Sequence, residues 1–596
     1  MHVALGGPKG YEIVTIRETY RIPGTKKNKT VILENLGRLS RHLEEDPNYL
    51  VKLKEEVSLR NKIAREANKP IVIELPRNTI STSADSVKAL KFGHCIINKL
   101  WTMMGLDEFF NKVCSNKKNI EKLKSGIFNI VVRRLSDPSS ILSCAKRQKE
   151  YAGLDEVTLD ICYSILDLLA DYKDELILHL GEFFNKNTNR DMSHVCFDVT
   201  NYYYESTKES QLRLFGFSKE KKNNEVLVVM GLLIDSNGIP ITFKLFPGNT
   251  IDQNTLNDAV LNLKELYSID EITVVADRGM NSNDNLIFLA DNNHHFVISY
   301  TLKRAKEEFK ELCISNEYSW DKEFINEKTR ERIYSSRVLP TTCKAKVLLT
   351  NEERELIKEE RRKNKISGRT PKYRNVEIPA YIHVTYSAKR AAKDAKDRER
   401  ALEKLRARIE KGGVKSSIKY GVNKYLNIDV SNKKFEINDC KVENEAKFDG
   451  FYAIITDRAD LTTEELSLMY REQWKIEDAF RILKTDLEAR PIRVYKDNHI
   501  IGHFTMCYIS LCIIKYLQYM QETNKQEVMS AARIMSAINE PQVVMQGLYP
   551  KIAVTPINIS DDFLQIMSLL KFPELLTSMS LTTFKAKTKL KLNKNL

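Results

Sequence analysis

Glu225-Val-Leu-Val-Val-Met-Gly-Leu-Leu-Ile-Asp235, Ser236-Asn237-Gly238 and Ile239-Pro-Ile-Thr-Phe-Lys-Leu-Phe246 are the residues from which the fold is read. Two apolar runs flank a short Asn-Gly turn, which marks a β-hairpin. Upstream, His194-Val-Cys-Phe-Asp198-Val-Thr200 reads as a short apolar strand with an acid near its end. Downstream, Pro247-Gly-Asn-Thr250 breaks the chain before a helix at 253–266. Ile272-Thr-Val-Val-Ala276 is then a buried strand that ends at Asp277-Arg278-Gly279. A helix at 283–290 and a strand at 296–299 complete an α/β layer with a mixed sheet.

Residues 301–448 are more charged and read as an insertion into that layer. They hold short strands and a long candidate helix from Ala388 to Lys411, whose Leu402, Leu405 and Ile409 make one narrow apolar stripe. Strand pattern returns at Asp449 to Ile455. Next comes Tyr470-Arg-Glu-Gln-Trp-Lys-Ile-Glu477-Asp-Ala-Phe-Arg481-Ile-Leu-Lys484, which reads as one amphipathic helix. Ile476, Phe480, Leu483 and Leu487 recur at helical spacing and form its apolar face. Tyr470, Glu477 and Lys484 are seven apart, so they align on a second stripe that Gln473 and Arg481 share.

With 596 residues the chain exceeds one core. The reading divides it at 1–85 (small β and helical region), 86–190 (helical), 191–300 and 449–530 (the two parts of the α/β core), 301–448 (insertion) and 531–596 (helices and a basic tail). Short strand pattern is also expected around a turn at Gly24 and at Ile71–Leu75. Hydrophobic residues at 42% suffice for globular packing, and a net charge of +14 favours a polyanionic partner. Lys117, Lys118, Lys122, Lys124, Arg133, Arg134, Lys146 and Arg147 make 86–190 either a DNA grip or a solvated helical face. None of the ten cysteines forms a Cys-x-x-Cys pair, so zinc and redox motifs are not indicated, and a reducing cytoplasm fits. No signal peptide or membrane span is expected; Phe504 to Leu517 reads as a buried helix.

Three acids stand out: Asp198 and Asp277 near strand ends, and Glu477 on the helix. Each alone reads equally as a cap, a turn or an ion-pair residue. Together they suit hard divalent ions, Mg²⁺ or Mn²⁺, because clustered carboxylates repel unless a cation neutralises them. Two such ions about 3.5–4 Å apart serve phosphodiester chemistry. Arg278 is a candidate phosphate contact or a salt-bridge residue. Trp320 is a candidate for stacking on a displaced base, or a core residue.

Five pieces taken together resemble the DDE transposases of bacterial insertion sequences. They are Phe197-Asp198-Val-Thr200, Phe246-Pro-Gly-Asn249-Thr-x-Asp252-x-x-Thr255, Val275-Ala-Asp277-Arg-Gly279, Asp449-Gly-Phe-Tyr452, and Tyr470 to Lys484. The last is similar to the Tyr-x2-Arg-x3-Glu-x6-Lys helix of the insertion-sequence-four group, with Gln473 where that signature has Arg. The resemblance implies a ribonuclease-H-like mixed sheet flanked by helices and interrupted by a mostly β insertion. It implies Asp198, Asp277 and Glu477 as catalytic and metal-binding residues for about two Mg²⁺ or Mn²⁺ ions. Tyr470, Gln473, Arg481, Lys484 and Arg278 would contact DNA, with 86–190 helping to hold it. The implied function is binding of terminal inverted repeats, cleavage at the element ends and strand transfer into target DNA. A homodimer would form on double-stranded DNA, in the bacterial cytoplasm and nucleoid-associated when bound. The alternatives are a ribonuclease-H-like nuclease without strand transfer, and an inactive or domesticated DNA-binding derivative.

Overall fold

The computed structural model describes residues 1–8, 10–21, 28–67, 89–115, 119–217, 224–252, 255–315, 317–366, 368–411, 421–429, 434–546 and 551–592. The expected turn at Gly24 and strand at Ile71–Leu75 lie outside these, as do Lys117 and Lys118. The chain divides into two compact units, one comprising 1–88, 544–555 and 575–584, the other the remainder.

In the first unit three antiparallel strands, β1 (His2–Gly6), β2 (Ile13–Arg21) and β3 (Asn28–Arg38), form a sheet in that order. Helix α1 (Tyr49–Ala67) supplies Leu53 and Val57, which bury with Val14 and Ile16 in a small core.

The second unit begins with helices, among them α2 (Ile120–Ser136) and α3 (Leu159–Asp171). A ten-stranded mixed sheet follows. Its strands are β4 (His194–Tyr203), β5 (Leu214–Phe215), β6 (Val226–Ile234), β7 (Pro240–Pro247), β8 (Thr273–Ala276), β9 (His295–Tyr300), β10 (Lys322–Ile325), β11 (Arg332–Leu348), β12 (Tyr373–Ser387) and β13 (Phe451–Thr456). Their order is β10-β11-β12-β13-β9-β8-β4-β6-β5, with β7 also on β6. The hairpin β6–β7 is antiparallel, and Ser236-Asn237-Gly238 turns it with Gly238 at φ +79°. Parallel pairing is confined to the centre, where β8 lies between β4 and β9. Helices α4 (Thr255–Tyr267) and α5 (Asn283–Asp291) make the two crossovers, as parallel neighbours require. Val195, Phe197, Val199, Val274, Ala276, Leu256, Val260 and Leu286 pack in the core beneath them.

Segment 301–448 differs from a mostly β insertion in two ways. Its strands β10, β11 and β12 continue the same sheet, paired through β13. It also carries as much helix as strand, including α6 (Asn351–Lys363) and α7 (Ala388–Glu410). Of the two readings of Trp320 the structure favours the packed one over a free stacking surface: Arg337 lies 3.6 Å and Arg332 4.8 Å from its ring centre, and Phe451 stacks nearby. Arg133 and Arg134 are corrected as DNA contacts. Both are buried: Arg133 pairs with Asp137 and Glu150, and Arg134 donates to the carbonyls of Leu487, Glu488 and Ser139.

The run at 504–517 lies in a longer helix, Asp497–Thr523, long and apolar enough by composition to cross a membrane but almost wholly buried within the fold. It packs on α3, where Gly502 meets the backbone carbonyl of Leu166. A methyl group there has no room, so Gly502→Ala should lower stability by about 1–3 kcal/mol, read from the melting temperature; an unchanged melt would mean the helices do not touch there. His94 and His503 are fully buried, and burial depresses both imidazoles to about 3. The unfolded chain therefore binds more protons below about 6.5, and stability should fall as pH drops from 7 towards 5. Melting temperature against pH tests this; a flat curve would contradict neutral burial of both rings.

Candidate active site

Parallel pairing sets the geometry. The β4–β8 register ends at Phe197 opposite Ala276, so Asp198 and Asp277 are the next residues on adjacent chains. Neighbouring strands run about 4.8 Å apart, which brings these acids side by side. Asp198 stands mid-strand, because β4 continues to Tyr203 rather than stopping at Thr200. It is half-buried, and Asp277 is exposed. One carboxylate oxygen of Asp198 accepts from the N–H of Val199 at 2.7 Å, and one of Asp277 from that of Arg278 at 2.6 Å. Each acid is thus oriented by its own backbone.

The expected single helix at 470–484 is three pieces: α8 (Thr463–Arg471), α9 (Gln473–Arg481) and a π turn at Ile482–Asp486. Its apolar face behaves as read, with Ile476, Phe480, Leu483 and Leu487 buried. The break and the π turn change the register of the polar stripe, since a π turn inserts an extra residue per turn.

Two clamps lay α9 along β4. At one end His194 Nε2 donates to Glu472 Oε2 at 2.9 Å; at the other Lys484 Nζ donates to Thr200 Oγ1 at 2.5 Å and stands over the Tyr202 ring. His194, Asp198, Thr200 and Tyr202 alternate onto one face of β4. Six residues of strand rise about 20 Å and twelve of helix about 18 Å, so both ends fit at once. Glu477 falls between the clamps, alongside the segment that carries Asp198. Glu472, opposed by burial, is held below the usual carboxyl range by the His194 hydrogen bond and Lys475.

Tyr470, on α8, closes the arrangement against β13, its ring 5.4 Å from that of Tyr452. Burial raises its phenol, and the charges of Asp277 and Glu477 push the same way, so both acids lie within its electrostatic reach. Among the described residues, however, no three Asp, Glu, His or Cys side chains stand close enough to hold a metal ion. The fold brings Asp198 and Asp277 together and sets exposed Glu477 on the facing helix without drawing it into a closed cage. The donor set is carboxylate oxygen throughout, which fits a hard divalent ion in chemistry.

The remaining candidates divide. Arg278 is exposed beside Asp277. Arg481 does not turn to Glu477; its guanidinium pairs with Asp478 and Asp486, each at 2.8 Å. Gln473 is buried, with Nε2 unpartnered among the described residues, and so is not presented to DNA. Lys475 reaches back to the carbonyl of Ser236 in the hairpin turn.

Sequence reasoning missed what holds α9 down. Asp478 accepts from Lys515 of the long helix, now α10 (Asp497–Thr523), at 2.7 Å. Burial opposes both charges. It leaves Lys515 below the ordinary lysine range, whereas the pull of Lys515 outweighs it at Asp478 and holds that carboxyl low. The clue was one lysine inside an otherwise apolar run, since a buried cation requires a partner. Asp478→Ala should cost about 3 kcal/mol by stranding Lys515, and adding Lys515→Met should recover most of it. Melting of the single and double variants tests this; additive losses would show that the pair does not couple.

The Transposase DDE domain family profile matches residues 189–513, which includes β4, β8, α9 and most of α10. No curated protein matches the sequence. A cryo-EM structure of a piggyBac transposase synaptic complex with hairpin DNA aligns over 86% of this chain and 89% of its own, at 7% identity and a TM-score of 0.34. With the family profile spanning more than half of its residues, the chain belongs to the DDE transposases.

Proposed function

We propose that this transposase binds the terminal inverted repeats of an insertion sequence, cuts the DNA at the element ends and joins the freed ends to target DNA. The observation that carries the reading is the juxtaposition of Asp198 and Asp277 beside a clamped helix bearing Glu477. The core would be ribonuclease-H-like, and the helix signature would place the chain in the insertion-sequence-four group. Asp198 and Asp277 would hold Mg²⁺ or Mn²⁺, two ions in the full complex, and Glu477 would complete the set by a modest shift of its side chain. When bound, such ions supply positive charge against the carboxylate pair and against charge building on the phosphate oxygens.

The chain's own residues position the substrate. Tyr470 offers a phenol to a phosphate from a ring fixed against Tyr452. Lys484 places its cation at Thr200, two residues from Asp198 on the same strand face. Arg278, exposed at the end of β8, offers a bidentate donor. In the first step water attacks phosphorus and the bond to the 3′ oxygen breaks, leaving a 3′-hydroxyl. In the second that hydroxyl attacks a target phosphodiester and displaces its 3′ oxygen. Two ends held at once require a homodimer. The site of action would be the bacterial cytoplasm, on the nucleoid.

Two observations favour a second reading. No three-ligand cluster stands among the described residues, and buried Gln473 replaces the signature arginine, as in a DNA-binding derivative without catalysis. Nicking and joining of an end-bearing duplex, with and without Mg²⁺, separates the two. Transposition predicts joined product that chelation abolishes and that Asp277→Ala lowers at least a hundredfold. Binding without metal-dependent nicking would establish the derivative, nicking without joining would establish a nuclease, and equal activity in Asp277→Ala would remove that residue from the site.

A further inference from the structure

Helix α7 has two opposite faces of different chemistry. Leu402, Leu405 and Ile409 turn inward onto Tyr425 and Leu426, with Leu405 wholly buried. On the other side Lys389, Lys393, Lys396, Arg400 and Lys404 fall within an arc of about 80°, and Lys411 continues the line at the C-cap. All six are exposed. Asp397 and Glu403 border the arc, while Asp394, Glu399 and Glu410 lie off it. Among the described residues only Arg400 of the six has an acid within ion-pair reach, Asp397 at 3.7 Å. A merely solvated helix face at this charge density would interleave both signs along one stripe.

The helix is anchored so that this face cannot roll inward. Arg398 donates to both carboxylate oxygens of Asp449 at 2.5 Å, and the Cβ of Ala391 stands where a side chain on Gly450 would have to go, a residue that sits at φ +81°. Asp449 and Gly450 lead directly into β13. At the start of the helix, Arg390 lies 4.6 Å from the Tyr452 ring centre, and Tyr452 in turn lies against Tyr470 of the candidate active site. The head of the helix that carries the stripe is thus linked through Arg390 and Tyr452 to Tyr470. From Lys389 to Lys411 the stripe spans about 33 Å, the length of about ten base pairs of duplex.

We propose that this face of α7 is a DNA-backbone track that holds duplex flanking the reacting phosphodiester. The contacts are to phosphates, so they are independent of base sequence. That the track feeds the active site rests on the reading given above; binding by the track does not.

The test uses the full-length protein with Lys389, Lys393, Lys396 and Arg400 changed together to Ala, substitutions that leave helix propensity intact. Fluorescence anisotropy with a duplex of roughly thirty base pairs should show weaker binding and a salt slope smaller by about 3–4, near 0.9 for each phosphate no longer neutralised. The loss should be equal on an end-bearing duplex and on one of unrelated sequence. Arg406→Ala with Arg408→Ala, off the stripe, serves as the charge control and should leave the slope nearly unchanged. The proposal is overturned if the quadruple variant, with an unaltered melting temperature, keeps affinity and slope, or if the control loses as much per charge. It is also overturned if the loss occurs on one sequence only. Because the readout is binding, failure of catalysis in the unaltered protein would count against the active-site reading alone.

Discussion

Everything at the candidate active site depends on one parallel pairing, β4 with β8. It brings residues 194–197 into register with 273–276, and so sets Asp198 and Asp277 at the same level. Parallel neighbours need a long crossover, and the chain supplies it through the β6–β7 hairpin and α4. The two aspartates then follow from where the hydrogen bonding stops. β8 is four residues long, and Asp277 is the first residue beyond it, outside the ladder and able to cap the turn with its own side chain. Asp198 stays within a strand that is paired on both sides. One acid is fixed by the sheet and the other by a turn, which gives the pair both rigidity and an open side.

The facing helix is held by charges rather than by apolar contact alone. His194, Thr200 and Lys515 each take a polar partner from 472–484, while the apolar residues of the same segment fill the core behind them. An amphipathic helix held only by its apolar stripe can slide by a turn along a strand, because that stripe repeats. Polar contacts at both ends remove this freedom. The π turn is consistent with such a demand: it shortens the rise at the end that must meet Thr200, at the expense of regular hydrogen bonding.

The strands, the hairpin and the crossover helices were legible because each rests on local chemistry: apolar runs of strand length, an Asn-Gly turn, and acids and glycines at strand ends. The places of Asp198 and Asp277 on neighbouring strands were legible for the same reason. What the sequence did not disclose is set by distant partners. Segment 301–448 has the composition of an appendage, yet its strands pair through β13, because edge hydrogen bonds are satisfied by any backbone regardless of side chain. Arg133 and Arg134 have the look of a surface pair, but their burial is decided by Glu150 and by carbonyls of 487–488, more than three hundred residues away. Glu472, at the break, likewise takes its partner from His194, 278 positions upstream.

The same distinction explains why an amide suits position 473. The side chain at this position faces inward in the first turn of α9 and is buried. A guanidinium there would need acceptors inside the protein or a displaced first turn, and an uncompensated buried cation is costly. An amide is the cheaper occupant, although its Nε2 lacks a partner among the described residues. Positive charge beside the acids then comes from other elements: Lys484 on the π turn and Arg278 after β8. Two separate elements thus deliver cations where a single helix would otherwise supply them: Lys484, tied at Thr200 to the strand that carries Asp198, and Arg278, next in the chain to Asp277.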